Sequence, residues 1–240
     1  METRIFHGVN NALYFRCKGA TVIVDGIHQG HPDGFSSMHP AMRDALLRHR
    51  GVFRRPELIL FTHLHTDHYD RALLLRALEV RPVPPVYGPG LELSSLKPQP
   101  LGGGYFRLPF DGGTLYAQDT VHEGAQFRDE PHQTYLLELA GERFFLAGDA
   151  ILREEDAVRL RALAGGPIAA AFLNVYQLWA QESAAFLRIL APERLFINHM
   201  PFPEDDLGNL YGLARQIIRH FPPEFPRPVL LRPITWTDEV

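Results

Sequence analysis

Three short runs of β-forming residues, ETRIFH, ALYFRC and TVIVD, open the chain. Lys18-Gly19 between the last two predicts a hairpin, so the start reads as antiparallel. Positions 26 to 40, GIHQGHPDGFSSMHP, are too rich in Gly, Pro and Ser for an element interior and predict a mobile, exposed loop beside any site. A helix over AMRDALLRHR follows. ELILF then reads as a buried strand and RALLLRAL as a helix with Asp70 as its N-cap, which makes the stretch between them a strand-to-helix loop. Residues 82 to 113 are punctuated by prolines and glycines, and GTLYAQDTV, QTYLLELA and RFFLAG follow as three strands, the last two joined by a turn at Gly141-Glu142. The second half alternates: a helix near 153 to 163, strand IAAAFLN, a helix near 178 to 190, strand RLFIN, a helix near 205 to 219 and strand PVLLR. Tyr176 and Trp179, near the start of the middle helix, are expected to pack between helix and sheet.

Composition narrows this picture only modestly. With 240 residues and 45% hydrophobic content, the chain reads as one domain over 1–240. A net charge of -4 without a block of like charge does not favour nucleic acid as a partner. Cys17 stands alone, so an intramolecular disulfide is excluded and an inert thiol is the default. The N-terminus lacks a basic segment followed by an apolar one, and the longest mostly apolar run, IAAAFLNVYQLWA, is short and interrupted by Asn174 and Gln177. The expectation is a cytoplasmic protein without a membrane partner, with self-association left open.

Chemistry enters at FTHLHTDHYD, residues 61 to 70. In an extended loop His63 and His65 point the same way and offer two imidazoles to one ion, while Asp67 and His68, at the turn into the helix, face a second position. Two adjacent cations are therefore expected. Imidazole with carboxylate suits zinc, and also manganese or iron, without a thiolate. The loop alone is too small a cage, so further ligands should stand at other strand ends. His122 follows GTLYAQDTV, Asp149 follows RFFLAG and His199 follows RLFIN. Each alone reads equally well as a loop histidine, a helix cap or a buried histidine; together with the loop they complete a candidate set.

The order His63-x-His65-x-Asp67-His68, then His122, Asp149 within LAGDA, and His199 resembles the ligand set of the metallo-β-lactamase-fold hydrolase superfamily. The resemblance implies an αβ/βα four-layer sandwich of two mixed β-sheets. It also implies a ligand assignment: His63, His65 and His122 on one metal, Asp67, His68 and His199 on the other, and Asp149 bridging. FHGVNNALYF, TVIVDG and the late His199 look most like the single-domain branch containing the L-ascorbate-6-phosphate lactonases. The activity implied is hydrolysis of a small ester, lactone or phosphodiester by a hydroxide bridging two divalent ions, with Asp149 holding the pair and Asp67 orienting the nucleophile or moving its proton. Two divalent ions less two carboxylates and one hydroxide leave about one positive charge, which welcomes an anionic substrate. Two other uses fit the same scaffold: a diiron oxidoreductase, disfavoured because such relatives usually carry a glutamate where this chain has His65, and a binding or sensing module that keeps its metals without turnover.

Around this set, Asp25 at the end of TVIVD reads either as a partner that orients a metal-bound histidine or as a turn-forming aspartate. His28, His31 and His39 read as exposed loop residues rather than substrate contacts. His132 reads either as reaching the pocket or as solvated at a strand edge.

Overall fold

The structure, a computed structural model, describes residues 3–30 and 34–237. The opening strands β1 (Arg4–His7), β2 (Leu13–Cys17) and β3 (Ala20–Val24) pair antiparallel in succession. Lys18 and Gly19 form the turn between the last two, both at positive φ, 47° and 94°, which matches the right-handed twist of the flanking strands. β4 (Leu58–Leu60) and β5 (Val86–Tyr87) extend this sheet in parallel, which requires crossovers: α1 (Pro40–Leu47) lies between β3 and β4, and α2 (Arg71–Ala77) between β4 and β5.

The second sheet is laid down by β6 (Gln99–Gly102), β7 (Tyr105–Phe110), β8 (Gly113–Thr120), β9 (His132–Leu139) and β10 (Glu142–Leu146), antiparallel throughout. It continues in parallel through β11 (Ala170–Leu173), β12 (Leu195–Ile197) and β13 (Val229–Leu230). The connecting helices are α3 (Glu154–Ala164), α4 (Val175–Trp179), α5 (Glu182–Leu190) and α6 (Leu210–His220), and β14 (Thr235–Trp236) returns to the first sheet beside β1.

Strand periodicity sorts the apolar side chains into layers. Phe15, Val22, Val24, Leu58 and Leu60 meet Leu115, Leu137, Phe144, Phe172 and Phe196 between the sheets. Tyr14, Ile23 and Ile59, one position out of phase, pack under Leu46, Leu73 and Leu74 of α1 and α2. On the far side Leu136, Phe145, Ala171 and Ile197 are covered by Leu160, Phe186, Leu190 and Ile217 from the later helices. The result is the αβ/βα four-layer sandwich with two mixed sheets.

Several boundaries differ from the pattern reading. The helix expected near 178 to 190 is two, because Ala180 takes an extended conformation (ψ 130°) after α4 and the chain restarts at α5. A helix as short as α4 turns Val175 and Leu178 inward and leaves Tyr176 and Trp179 outside, 51% and 59% exposed, so neither packs between helix and sheet. The turn after β9 falls at Ala140-Gly141, both at positive φ, one residue earlier than predicted. α6 begins at Leu210 because only a single 3-10 turn forms over Pro203–Asp205. β6, β7 and β14 were hidden by proline, glycine and shortness.

Candidate active site

Loops at the C-terminal ends of strands from both sheets converge on one point. After β4 the Phe61 N–H still donates to Tyr87 O, the chain bends at Thr62, and it then turns so that the amides of His68 and Tyr69 donate to His65 O. Asp70 accepts from Leu73 N at 2.7 Å and starts α2, as its position predicted. His122 follows β8 and bridges to Ala150, Asp149 follows β10, and His199 follows β12 in the left-handed region (φ 59°).

All seven sequence-predicted residues lie in this cluster. Asp149 Oδ2 is 3.9 Å from His63 Nε2, 3.5 Å from His68 Nε2, 3.7 Å from His122 Nε2 and 3.7 Å from His199 Nε2. Asp67 Oδ2 is 3.3 Å from His199 Nε2 and 3.5 Å from His68 Nε2. Donor atoms fall into three groups, each within 4.8 Å: His63, His65 and His122; His63, His68 and Asp149; Asp67, His68 and His199. His65 is half-buried, and the other six are buried.

The outward nitrogens explain why the inward ones point as they do. His68 Nδ1 lies 3.0 Å from Asp25 Oδ2, His63 Nδ1 3.1 Å from Thr62 Oγ1, and His122 Nδ1 2.5 Å from Glu123 O. With one ring nitrogen anchored, each imidazole presents Nε2 to the centre. His68 Nε2 and His199 Nε2 are then 2.9 Å apart, and His122 Nε2 and His63 Nε2 3.3 Å apart. Lone-pair atoms this close repel unless protons or cations sit between them, so the donor set fits divalent metal.

The charges agree. Burial alone would lower the His68 pKa, but Asp67, Asp149 and Asp25 together hold it well above 6.5; Asp149 and Asp67 likewise raise His199 against burial. Burial opposes ionisation of Asp67 and Asp149 too, yet His68 and His199 keep both carboxyls well below the usual range. His63 is pushed down, first by burial and then by His68. Glu123 goes the other way, up to about 7, because it is buried and faces Asp149.

Asp25 is fully buried and holds the cluster from behind. Besides His68 it accepts from Thr62 N at 2.8 Å, Thr62 Oγ1 at 2.6 Å and Asn11 Nδ2 at 2.6 Å. It also sits at φ 48°, a conformation Asp tolerates better than most residues, so it is at once a turn former and the hydrogen-bond partner of His68. His132 is buried rather than solvated, because the strand continues into the cluster: its Nε2 accepts from Asp149 N at 2.9 Å and its Nδ1 lies 2.8 Å from Thr120 Oγ1. Burial pushes its pKa down to about 3, which keeps the ring neutral for that acceptor role.

The loop before α1 is not simply exposed. Asn10 Nδ2 donates to Ser36 O at 2.8 Å and Asn10 Oδ1 accepts from Ser36 N, while Phe35 meets the His199 ring edge-on at 4.4 Å. His39, partly exposed, accepts from Ala41 N and caps α1. His31 lies outside the described residues. His28 overturns the expectation of an exposed residue: it is 1% exposed, because Ile27 pairs with Tyr69 and draws the chain inward, and neither ring nitrogen has a hydrogen-bond partner.

An unpartnered buried imidazole is costly, so His28→Leu is expected to stabilise the metal-free protein by about 1 kcal/mol at pH 7. Burial, then His68, lowers the His28 pKa from 6.5 to about 4. Below pH 6.5 the unfolded chain therefore binds the proton preferentially, and the native residue costs about 3 kcal/mol more at pH 4 than at pH 7. Urea unfolding should show the advantage of the variant growing by that amount between the two pH values; an advantage independent of pH contradicts the assignment.

Sequence reasoning missed several supporting residues. Gly148 of LAGDA has φ 54°, and a Cβ there would stand 2.7 Å from Thr62 Cβ and 2.8 Å from His132 Nε2. Asn174 Nδ2 donates to Glu123 Oε1 at 2.6 Å and lies 3.4 Å from Asp149 Oδ1. Asn11, in the turn between β1 and β2, donates to Asp25 Oδ2.

No family profile and no curated protein sequence matches the chain. Solved structures do. An isothiocyanate hydrolase from Delia radicum gut bacteria aligns over 98% of each chain with a TM-score of 0.64 at 14% identity. The metallo-β-lactamase-fold protein YhfI from Bacillus subtilis aligns over 98% of each chain, TM-score 0.62 at 11% identity. CmlA, a diiron β-hydroxylase from Streptomyces venezuelae, aligns over 97% of this chain and 53% of its own, TM-score 0.62 at 15% identity, so this chain spans about half of that enzyme. The fold is accordingly the metallo-β-lactamase fold. Among the described residues no helix is long and apolar enough to cross a membrane.

Proposed function

We propose that the protein is a hydrolase that uses two divalent metal ions on a small ester, lactone or phosphodiester. The observation that carries this reading is Asp149 Oδ2 surrounded by four imidazole Nε2 atoms within 3.9 Å, flanked by two separate three-residue donor groups. His63, His65 and His122 would hold one ion, Asp67, His68 and His199 the other, and Asp149 both. Zinc suits this imidazole-rich set best, with manganese or iron as substitutes. Bound ions would supply Lewis acidity towards the scissile group and a water acidified towards neutral pH.

The chain itself fixes geometry and protons. Asp25, Thr62 and the Glu123 carbonyl orient three imidazoles, and His132 fixes the Asp149 backbone. Asp67, held ionised across the physiological range, would accept a hydrogen bond from a water and orient it. The ligand set also resembles that of the single-domain lactonase-like branch, and the likeness to the isothiocyanate hydrolase is in keeping with hydrolysis.

Protein purified without added metal should carry about two equivalents of transition metal, measured by plasma mass spectrometry. It should hydrolyse members of an ester, lactone and phosphodiester panel, lose the activity on chelation and regain it with zinc or manganese. Less than one equivalent after saturation, with a silent panel, defeats the proposal. The likeness to a diiron hydroxylase supports a second, redox reading; iron with a visible absorption band and oxygen consumption would select it.

A further inference from the structure

A cavity of about 510 Å³ lies beside the cluster, between the chain that follows Asp149 and helices α4 and α5. None of the seven candidate ligands lines it, but its inner end is built from their immediate supports. Ala150 pairs with His122, the Glu123 amide donates to Asp149 O at 2.7 Å, and Gln177 Nε2 donates to the carbonyls of Gly148 and Ala150. The Glu123 side chain stands at the junction, bonded to the same Asn174 amide that lies 3.4 Å from Asp149 Oδ1.

Two features define what the cavity takes. Its walls are apolar: Ile151, Leu152, Ala180 and the ring of Tyr176 line it, and Ile151 and Tyr176 are 38% and 51% exposed. Its rim is acidic, with Glu154, Glu155 and Glu182 against one cation, Arg153. A volume of this size is typical of small-molecule sites, where apolar walls supply affinity. Net negative charge at the mouth repels carboxylates and phosphates.

We infer that this cavity receives the non-reacting part of the substrate, and that this part is an alkyl or aryl group bearing no negative charge. The inference rests on the hydrolase reading above and sharpens it. The positive charge of a metal-loaded centre tolerates a neutral or anionic reacting group, whereas the rim disfavours an anionic tail, so an ester, lactone or phosphodiester with an uncharged apolar tail suits the pair better than a substrate that is anionic at its far end.

The test compares 4-nitrophenyl hexanoate with the mono-4-nitrophenyl ester of adipic acid, which places a carboxylate at the far end of a chain of the same length. kcat/KM should favour the hexanoate by about tenfold. Replacing Glu154, Glu155 and Glu182 together by Gln should narrow the hexanoate-to-adipate ratio of kcat/KM severalfold. Ala180→Trp, which fills the cavity, should raise KM for the hexanoate about tenfold with metal content unchanged. Equal turnover of the two esters, or an Ala180→Trp enzyme with unchanged KM, overturns the inference. Should the metal-loaded protein hydrolyse neither ester and the wider lactone and phosphodiester panel also stay silent, the hydrolase reading is what has failed. Saturation-transfer NMR with 4-phenylbutan-1-ol then reads the cavity directly: a signal abolished by Ala180→Trp upholds it, and no signal, or one indifferent to the substitution, overturns it.

Discussion

Asp149→Asn is expected to lower metal affinity and kcat/KM by about a hundred- to ten-thousandfold while leaving the fold intact. Asparagine keeps the size of the side chain and its main-chain hydrogen bond to His132, and removes the negative charge that four imidazoles face within 3.9 Å. In the metal-free protein that charge also raises the pKa of His68 and His199, so both should titrate lower in the variant, a shift visible by NMR. Loss of one carboxylate from a buried, paired cluster costs about 3 to 5 kcal/mol, which corresponds to some two to four orders of magnitude in affinity. Plasma mass spectrometry after dialysis against limiting zinc, hydrolysis rates and circular dichroism are the readouts. Retention of both metal equivalents and of the rate would remove Asp149 from its proposed central place.

The candidate cluster was legible in the sequence for a physical reason. Metal-type side chains must converge from separate elements, strand ends are where rigid convergence is available, and His122, Asp149 and His199 each follow an apolar run that reads as a strand. The layers were legible too, because Val22 and Val24 face the inter-sheet core while Ile23 faces the helices, a period-2 division of residues that are all apolar. What the pattern hid was supplied by tertiary contact. His28 sits in a segment of loop composition, and only the Ile27–Tyr69 pairing draws it under the surface. His132 begins a strand of ordinary appearance, and its use depends on Gly148 allowing Thr62 and Asp149 to approach. Tyr176 and Trp179 look like core residues until Ala180 ends their helix after five residues and leaves them on the outside. Short edge strands such as β14 carry too few residues for periodicity to register and are defined by their partner, here Phe6 and His7 of β1.

Asp25 offers the sharpest separation of a chemical role from a conformational one. As a turn former at φ 48°, aspartate is interchangeable with asparagine, which tolerates the left-handed region equally well. As the acceptor for His68 Nδ1, Thr62 N, Thr62 Oγ1 and Asn11 Nδ2 it is not, because an amide has only one oxygen and would turn its NH₂ group towards a donor. Asp25→Asn is therefore expected to cost about 2 to 3 kcal/mol in stability and to weaken metal binding about 10- to 100-fold through misorientation of His68. Asp25→Ala removes the shared acceptor of these donors from a fully buried site, leaving Thr62 N and Asn11 Nδ2 without it, and should cost on the order of 4 kcal/mol. Urea unfolding of the metal-free proteins gives the first quantity and competition with a calibrated chelator the second. An Asp25→Asn protein that unfolds and binds zinc as the native chain does would reduce Asp25 to its backbone role, and the inward aim of His68 would then have to come from packing against His63 and His199 alone.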